Sequence, residues 1–345
     1  MKLFCVVILF FGVELFSEPP REFLWEDITF NPSHHEGYFQ GWNYSLIHKD
    51  YTIFSTVVVS NLGPNQFNNG VSLFYSHPDV GSFFITQEWG EQDLEAEKGK
   101  FNIKIRDNLM RMVDKSLQLK LVWSEVDLNL IFKPVPKSGV GISGGMVSLG
   151  EDHHLRADVA FSFSPVKGHL NHYGTILNLE GQGGMEHLST NLEVYYYSKS
   201  WELTRSITKD GYRIITGGYN GKQKNKFFKQ IAVIDPKGNL ILKELIESSY
   251  GSGFRKEELS NYLLPSIQTL AWKSKSNEIC KFIINDKEKL GSINILESIS
   301  SLLRFFIEFF FAKPYQIHYN IDAELVCGNL KLKGEGFHSF YLINP

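Results

Sequence analysis

A chain of 345 residues is longer than one ordinary domain, and its length predicts two. Hydrophobic residues make up 43%, enough for real cores, while a formal charge of -3 and only 12 prolines exclude a phosphate-neutralising nucleic-acid binder and an extensively disordered chain. The 27 Phe, 15 Tyr and 6 Trp are the load that fills sheets and lines apolar pockets.

The first element is a leader. Lys2 supplies a positive charge, Leu3 to Phe11 is an unbroken apolar run, and Ser17 precedes Glu18-Pro19-Pro20. This is the order of a secretory signal and is shorter than a spanning helix of ~20 residues, so residues 1–18 are expected to direct export to a periplasm, a cell envelope or the medium. An uncleaved anchor is the alternative, since Glu14 and Leu15 fit a signal poorly. Export would remove Cys5 and leave Cys280 and Cys327 where they can pair; two buried free thiols are the other reading.

Short strands follow. Residues 38–44 mix aromatic with small or polar side chains and alternate from Gln40 onward, as a half-buried strand does. Residues 51–60 come after the polar turn His48-Lys49-Asp50, which predicts a hairpin. Residues 71–75, 83–89, 101–106, 117–123 and 126–132 continue the series between Gly, Asn, Pro and Asp turn signals, the spacing of an all-β barrel or sandwich. In the second half, 193–197, 213–216, 228–234 and 239–243 are strand candidates, with Asp235-Pro236-Lys237-Gly238 as a turn. No G-x-G-x-x-G or P-loop opens a helix, which removes the usual nucleotide folds.

Two internal echoes point to duplication. Lys209-Asp210-Gly211-Tyr212 repeats Lys49-Asp50-Tyr51 about 160 positions later. Leu177-Asn178-Leu179-Glu180-Gly181-Gln182-Gly183 matches Leu330-Lys331-Leu332-Lys333-Gly334-Glu335-Gly336 as L-x-L-x-G-x-G, in each case a strand with one apolar face running into glycines that let the backbone bend. Their shared order predicts a doubled barrel, residues 19–190 and 191–345, with the junction near 190.

One stretch breaks the β texture. From Ile293 to Ala312 the chain is rich in Leu and Phe, with Arg304 and Glu308 four apart on one helical face and Pro314 just beyond. A helix packed on a barrel end or between domains is the first expectation, and a membrane-surface helix is the sharper alternative.

Metal and nucleophile motifs are weak. His34-His35 and His153-His154 are adjacent and so face apart on a strand, His169 and His172 sit beside a turn, and no C-x-x-C spacing exists. No metal or cofactor is expected. Gly141-Ile142-Ser143-Gly144-Gly145 has the letters of a nucleophile elbow, but Pro134, Pro136 and Gly139 precede it in place of a buried strand, so a glycine loop is expected. Glu186 and His187 are the informative pair. A carboxyl in an apolar cavity has a raised pKa and can donate a proton, and the adjacent imidazole could orient it; polar loop residues satisfied by water are the plain alternative.

Gly41, Trp42 and Tyr44, with Gly181, Gly183, Glu186 and His187, give the chain a resemblance to carotenoid 1,2-hydratase, AttH-type and survival-factor-type proteins, to which tocopherol cyclase and Diels–Alderase-like cyclases are similar. The family motif runs roughly G-R-G-Y-H-D/E-H-N-W-G; Gly184 and Met185 stand here for Tyr and His, and Leu188, Ser189 and Thr190 replace Asn, Trp and Gly. The resemblance implies an all-β chain of two tandem lipocalin-like (calycin-type) antiparallel β-barrels, with one short helix in the second half. It also implies a hydrophobic small molecule or lipid held in or between them, and Glu186 and His187 as the motif's acid and histidine. Trp42, Tyr44, Trp89, Tyr195, Tyr197, Trp201 and Tyr219 are the expected ligand wall, ordinary core being the alternative for each. Because the motif Trp is missing and Tyr219 is followed by Asn220 rather than an acid, an exported binder is the leading expectation. An acid-catalysed hydratase, cyclase or isomerase is the alternative, with Glu186 as proton donor. A surface protein that pairs through an exposed sheet edge is a third reading.

Overall fold

The computed structural model describes residues 18–61, 67–150, 153–222, 227–297 and 313–343. The apolar leader and residues 298–312 of the Phe-rich stretch lie outside the described residues. Ile293 and Asn294 end a strand rather than begin a helix. Among the described residues no helix is long and apolar enough to cross a membrane.

The described chain is almost entirely strand, in two antiparallel sheets. The first spans Arg21 to Thr190 and the second Ser198 to Leu342. Each begins as a meander of four neighbouring strands: Tyr38–Ile47, Thr52–Asn61, Asn68–His77 and Gly81–Gly90 in the first, Ser198–Thr208, Arg213–Gly221, Phe227–Ile234 and Leu240–Leu245 in the second. In each, the last strand returns to pair with the first: Thr175–Thr190 lies against Tyr38–Ile47, and Leu330–Leu342 against Ser198–Thr208. The order then runs back through the remaining strands, so Leu94–Ala96 and Ser248–Lys256 end up at the far edges of their sheets. Yet each follows directly on a strand at the opposite edge, joined by Glu91–Asp93 in one case and Ile246-Glu247 in the other. A twisted sheet can meet so short a connection only by curling into a near-barrel.

Both sequence echoes occupy matching places in this scheme. Lys49-Asp50-Tyr51 and Lys209-Asp210-Gly211-Tyr212 turn the first hairpin of each sheet, closed by His48 N–H to Tyr51 C=O and Thr208 N–H to Tyr212 C=O, both 2.9 Å. The two L-x-L-x-G-x-G segments lie in the returning last strands. There the glycines are required for close approach: a Cβ on Gly183 would strike the Ser45 carbonyl, and one on Gly336 the Arg205 carbonyl.

The first barrel interior is largely apolar. Trp42, Tyr44, Leu46, Leu119, Leu128 and Phe132 belong to its largest cluster, and the 3-10 turn Trp25–Ile28 closes onto it, with the Ile28 carbonyl accepting from Trp42 Nε1 at 2.9 Å. The second interior is more polar. Glu202 accepts from Lys229 Nζ and from Gln268 and Asn220 side-chain amides, each at 2.6 Å; burial works to raise its carboxyl, but the Lys229 charge outweighs it and holds the group at about 2. A Cys280–Cys327 disulfide ties the strands Ile279–Asn294 and Tyr315–Cys327, with Cα atoms 4.2 Å apart.

Two local expectations are corrected. Residues 193–197 do not form a strand; Val194–Tyr197 is a single helical turn in the link between the sheets, and it is the short helix of this fold. The Gly141–Gly145 motif is not a loop but part of the strand Val140–Gly150, so no strand-to-helix elbow exists there.

Candidate functional site

The first and last strands of each half carry the centre of the seam between the sheets, with Thr52–Asn61, His153–His172, Ile279–Asn294 and Tyr315–Cys327 contributing beside them. Successive side chains on a strand face apart, and this separates the motif pair. His187 points into the first barrel beside Trp42, its ring 5.7 Å away, with Nδ1 3.0 Å from Asp158 Oδ2 and Nε2 2.9 Å from the Gln40 amide. Glu186 points the other way, into the seam, so the expected orienting contact from His187 does not form. Burial raises the Asp158 carboxyl, partly offset by its bond to His187.

The second half meets Glu186 instead. Its carboxylate is ion-paired with Arg205 and accepts the Tyr341 hydroxyl at 3.0 Å. Side-chain exposure is 8% for Glu186 and 1% for Arg205, so both charges are out of bulk water. The Arg205 guanidinium also donates to Ser339 Oγ at 3.1 Å and lies 4.3 Å over the Phe337 ring. Burial pushes it down to about 10, still charged at neutral pH. Ser339 Oγ is 2.8 Å from His318 Nδ1, and the His318 ring stacks on Phe54 of the first sheet at 3.8 Å. Burial, with the Arg205 charge adding to it, drives the His318 imidazole down to about 3, so it is neutral. Its Nε2 is buried with no hydrogen-bond partner among the described residues.

Around this cluster lies a small space of about 10 Å³, room for about one water, bounded by Asn43, Ser45, Phe54 and Thr56 on one side and Arg205, His318 and Tyr341 on the other. Along the same strands the seam widens into a groove of about 600 Å³. Its apolar floor is Ile47, Phe163, Ile207, Leu290 and Phe337, and its rim carries Lys49, Asp50, Lys287 and Asp322. Phe337 borders both spaces. Phe163, at φ 49°, holds a left-handed conformation rare for an aromatic residue, at a bulge in the strand His153–His172, and its ring meets Phe337 edge-on at 6.2 Å.

The expected aromatic wall lies elsewhere. Trp42, Tyr44 and Trp89 are packed in the first barrel, although Tyr44 also borders the small space. Trp201, Tyr219 and Tyr197 form an apolar cluster at the closed end of the seam, and Tyr195 stacks near Tyr196 at 4.6 Å in the link. None of the seven lines the groove. Sequence reasoning missed Arg205, Tyr341, Ser339 and His318, yet a signal for Arg205 existed. Counting back four from Lys49 and Lys209 reaches Ser45 and Arg205, and counting on three from Gly183 and Gly336 reaches Glu186 and Ser339. At the centre of the doubled fold, matching positions thus carry a small polar residue in one half and a charge in the other.

No protein-family model and no curated protein sequence matches the chain. Solved structures do. An AttH-type protein from Nitrosomonas europaea superposes with a TM-score of 0.62 at 10% identity, over 93% of this chain and 97% of its own. The chain has the AttH-type fold. Kievitone hydratase from Nectria haematococca shares it at a TM-score of 0.54 and 10% identity, covering 92% of this chain and 93% of that one. So does CghA in complex with Sch210972, at 0.52 and 9%, over 89% of each chain. Likeness at this identity establishes the two-barrel architecture.

Proposed function

We propose that the protein converts a hydrophobic, alkene-bearing molecule held in the groove between its sheets, by hydration or cyclisation. The observation that carries this reading is the buried Glu186–Arg205–Tyr341 cluster, which lines a small space separated by Phe337 from the groove that Phe163 and Phe337 floor. A hydratase among the structures of the AttH-type fold supports it.

The pairing with Arg205 favours the ionised form of Glu186, so the role that fits is proton acceptor rather than the donor first expected. In hydration, a water oxygen adds to one alkene carbon and a proton to its neighbour. Glu186 draws the water's proton through the Tyr341 hydroxyl, which passes its own proton on, and the relay then runs in reverse to deliver a proton to the neighbouring carbon, which returns Glu186 to its ionised form. Arg205 faces the negative charge that develops when the alkene is conjugated to a carbonyl. Excluding bulk water strengthens each of these interactions.

Carriage without chemistry is the second reading, favoured by one observation: the space at the cluster is only about 10 Å³, too small for a guest. The two separate experimentally. Organic extraction of the purified protein with mass spectrometry identifies the guest, and incubation of that guest in heavy-oxygen water reads turnover. Tyr341→Phe and Glu186→Gln are expected to keep the guest and to lose label incorporation by roughly 100-fold or more. Equal incorporation by wild type and both variants would end the catalytic reading. We also take residues 1–18 as an export signal and the link near residue 190 as the domain junction. Amino-terminal sequencing of the secreted protein and limited proteolysis test these in turn.

A further inference from the structure

The outside of the second sheet carries a surface of exposed apolar and cationic side chains. Burial alternates strictly from Ile279 to Lys287, which turns Ile279, Lys281, Ile283, Asn285 and Lys287 outward. Register places Ile283 opposite Thr269, and Thr269 opposite Tyr250; Pro265 lies opposite Phe254 and Leu263 opposite Lys256. Three strands therefore present one face. Phe254 is 61% exposed, and Leu263 and Ile279 are each 68% exposed, with Tyr250, Ile267 and Ile283 beside them. Lys256, Lys273, Lys281 and Lys287 stand on the same face, and no outward position of 248–256, 263–273 or 279–287 is a carboxylate. Lys287 is ion-paired with Asp322 on the next strand. In a chain of net charge -3 this is a local excess of cations among exposed apolar groups.

We propose that this face docks on an anionic lipid bilayer. Apolar side chains that enter the headgroup boundary, with lysines at the level of the lipid phosphates, are the physical requirement for such binding. A second copy fits less well. A two-fold pair would set the same lysines against one another, and the nearest acids on the adjoining strand, Asp322 and Glu324, are already ion-paired with Lys287 and Lys333. Nucleic acid offers nothing to Leu263, Ile279 or Ile283. The strand Ile279–Asn294 continues from this face to Lys287 on the groove rim and Leu290 in its floor. Docking therefore sets the groove mouth beside a reservoir of water-insoluble molecules. That consequence rests on the proposed function; the docking does not.

Vesicle flotation of the full chain tests the proposal. The protein is expected to float with phosphatidylcholine vesicles that contain phosphatidylglycerol, about tenfold less with phosphatidylcholine alone, and less again at high salt. Phe254→Ser with Leu263→Ser, and separately Lys273→Glu with Lys281→Glu, are expected to weaken flotation about tenfold at unchanged melting temperature, because all four side chains project into solvent. As a readout that needs no loss-of-function variant, Tyr250→Trp should shift its emission to the blue on adding the anionic vesicles. Any one of these results would overturn the proposal: no flotation with anionic vesicles, equal flotation with neutral ones, variants that float like wild type, or a wild-type dimer that the variants abolish. Loss of the groove's guest with docking intact would instead strike only the proposed function.

Discussion

Glu186 and Arg205 are two charges taken out of water together, and the consequence is asymmetric. Neither is tolerated without the other, because a lone buried charge loses its solvation and gains nothing. Glu186→Leu and Arg205→Met are each expected to cost about 3–5 kcal/mol, and the double variant much less than their sum, in denaturant titrations analysed as a double-mutant cycle. Additive costs would mean that the pair does not act as a pair. His318 carries a pH dependence of defined sign. Its imidazole titrates at about 3 in the fold, below the ordinary 6.5, so the unfolded chain takes up the proton first as pH falls. Stability is therefore full above about 6.5 and lost as pH falls from there toward 3, about 2 kcal/mol of it by pH 5. Glu202, held at about 2, adds a loss only below the ordinary 4.5. Denaturant unfolding at pH 7 and pH 5 checks this, and His318→Gln is expected to flatten the slope; equal stability at both would contradict it.

At the scale of the element, the glycines of the returning strands and the cross-strand disulfide make separable predictions. Gly336→Ala pushes a methyl group onto the Arg205 carbonyl, so the strand pair that presents Arg205 must open, at an expected 1–3 kcal/mol. The Cys280–Cys327 bridge spans 47 residues, and replacing both cysteines by Ala is expected to cost about 4 kcal/mol on a chain-entropy estimate, read from melting temperature. Most strands were legible because their alternation is local: residues 126–132 were predicted and Val126–Phe132 is found. The long strand His153–His172 was not, since Ser, Pro and Gly interrupt it. Its partner on one side changes from Val140–Gly150 to Val126–Phe132, and Pro165, which has no N–H to give, falls in the gap between them. Residues 193–197, Glu193 and then Val-Tyr-Tyr-Tyr, have strand propensity but no strand beside them in the link between sheets, and propensity without a partner yields a turn.

For the whole molecule, the doubled topology could be read from the two echoes, but the seam could not. Glu186 and Arg205 belong to different sheets, and only the packing of one barrel on the other brings them together. The same packing forms the groove between the sheets, whereas Trp42 and Trp89, first expected to line a ligand site, pack in the apolar cluster of the first barrel. Phe163 and Phe337 floor that space, and nothing in the local pattern around either residue distinguishes it from a core phenylalanine. A crystal structure of the protein with its co-purified or added hydrophobic ligand tests this most directly. The account predicts ligand density between Phe163 and Phe337, its reactive end toward Tyr341; density inside the first barrel beside Trp42, with the seam closed, would contradict it.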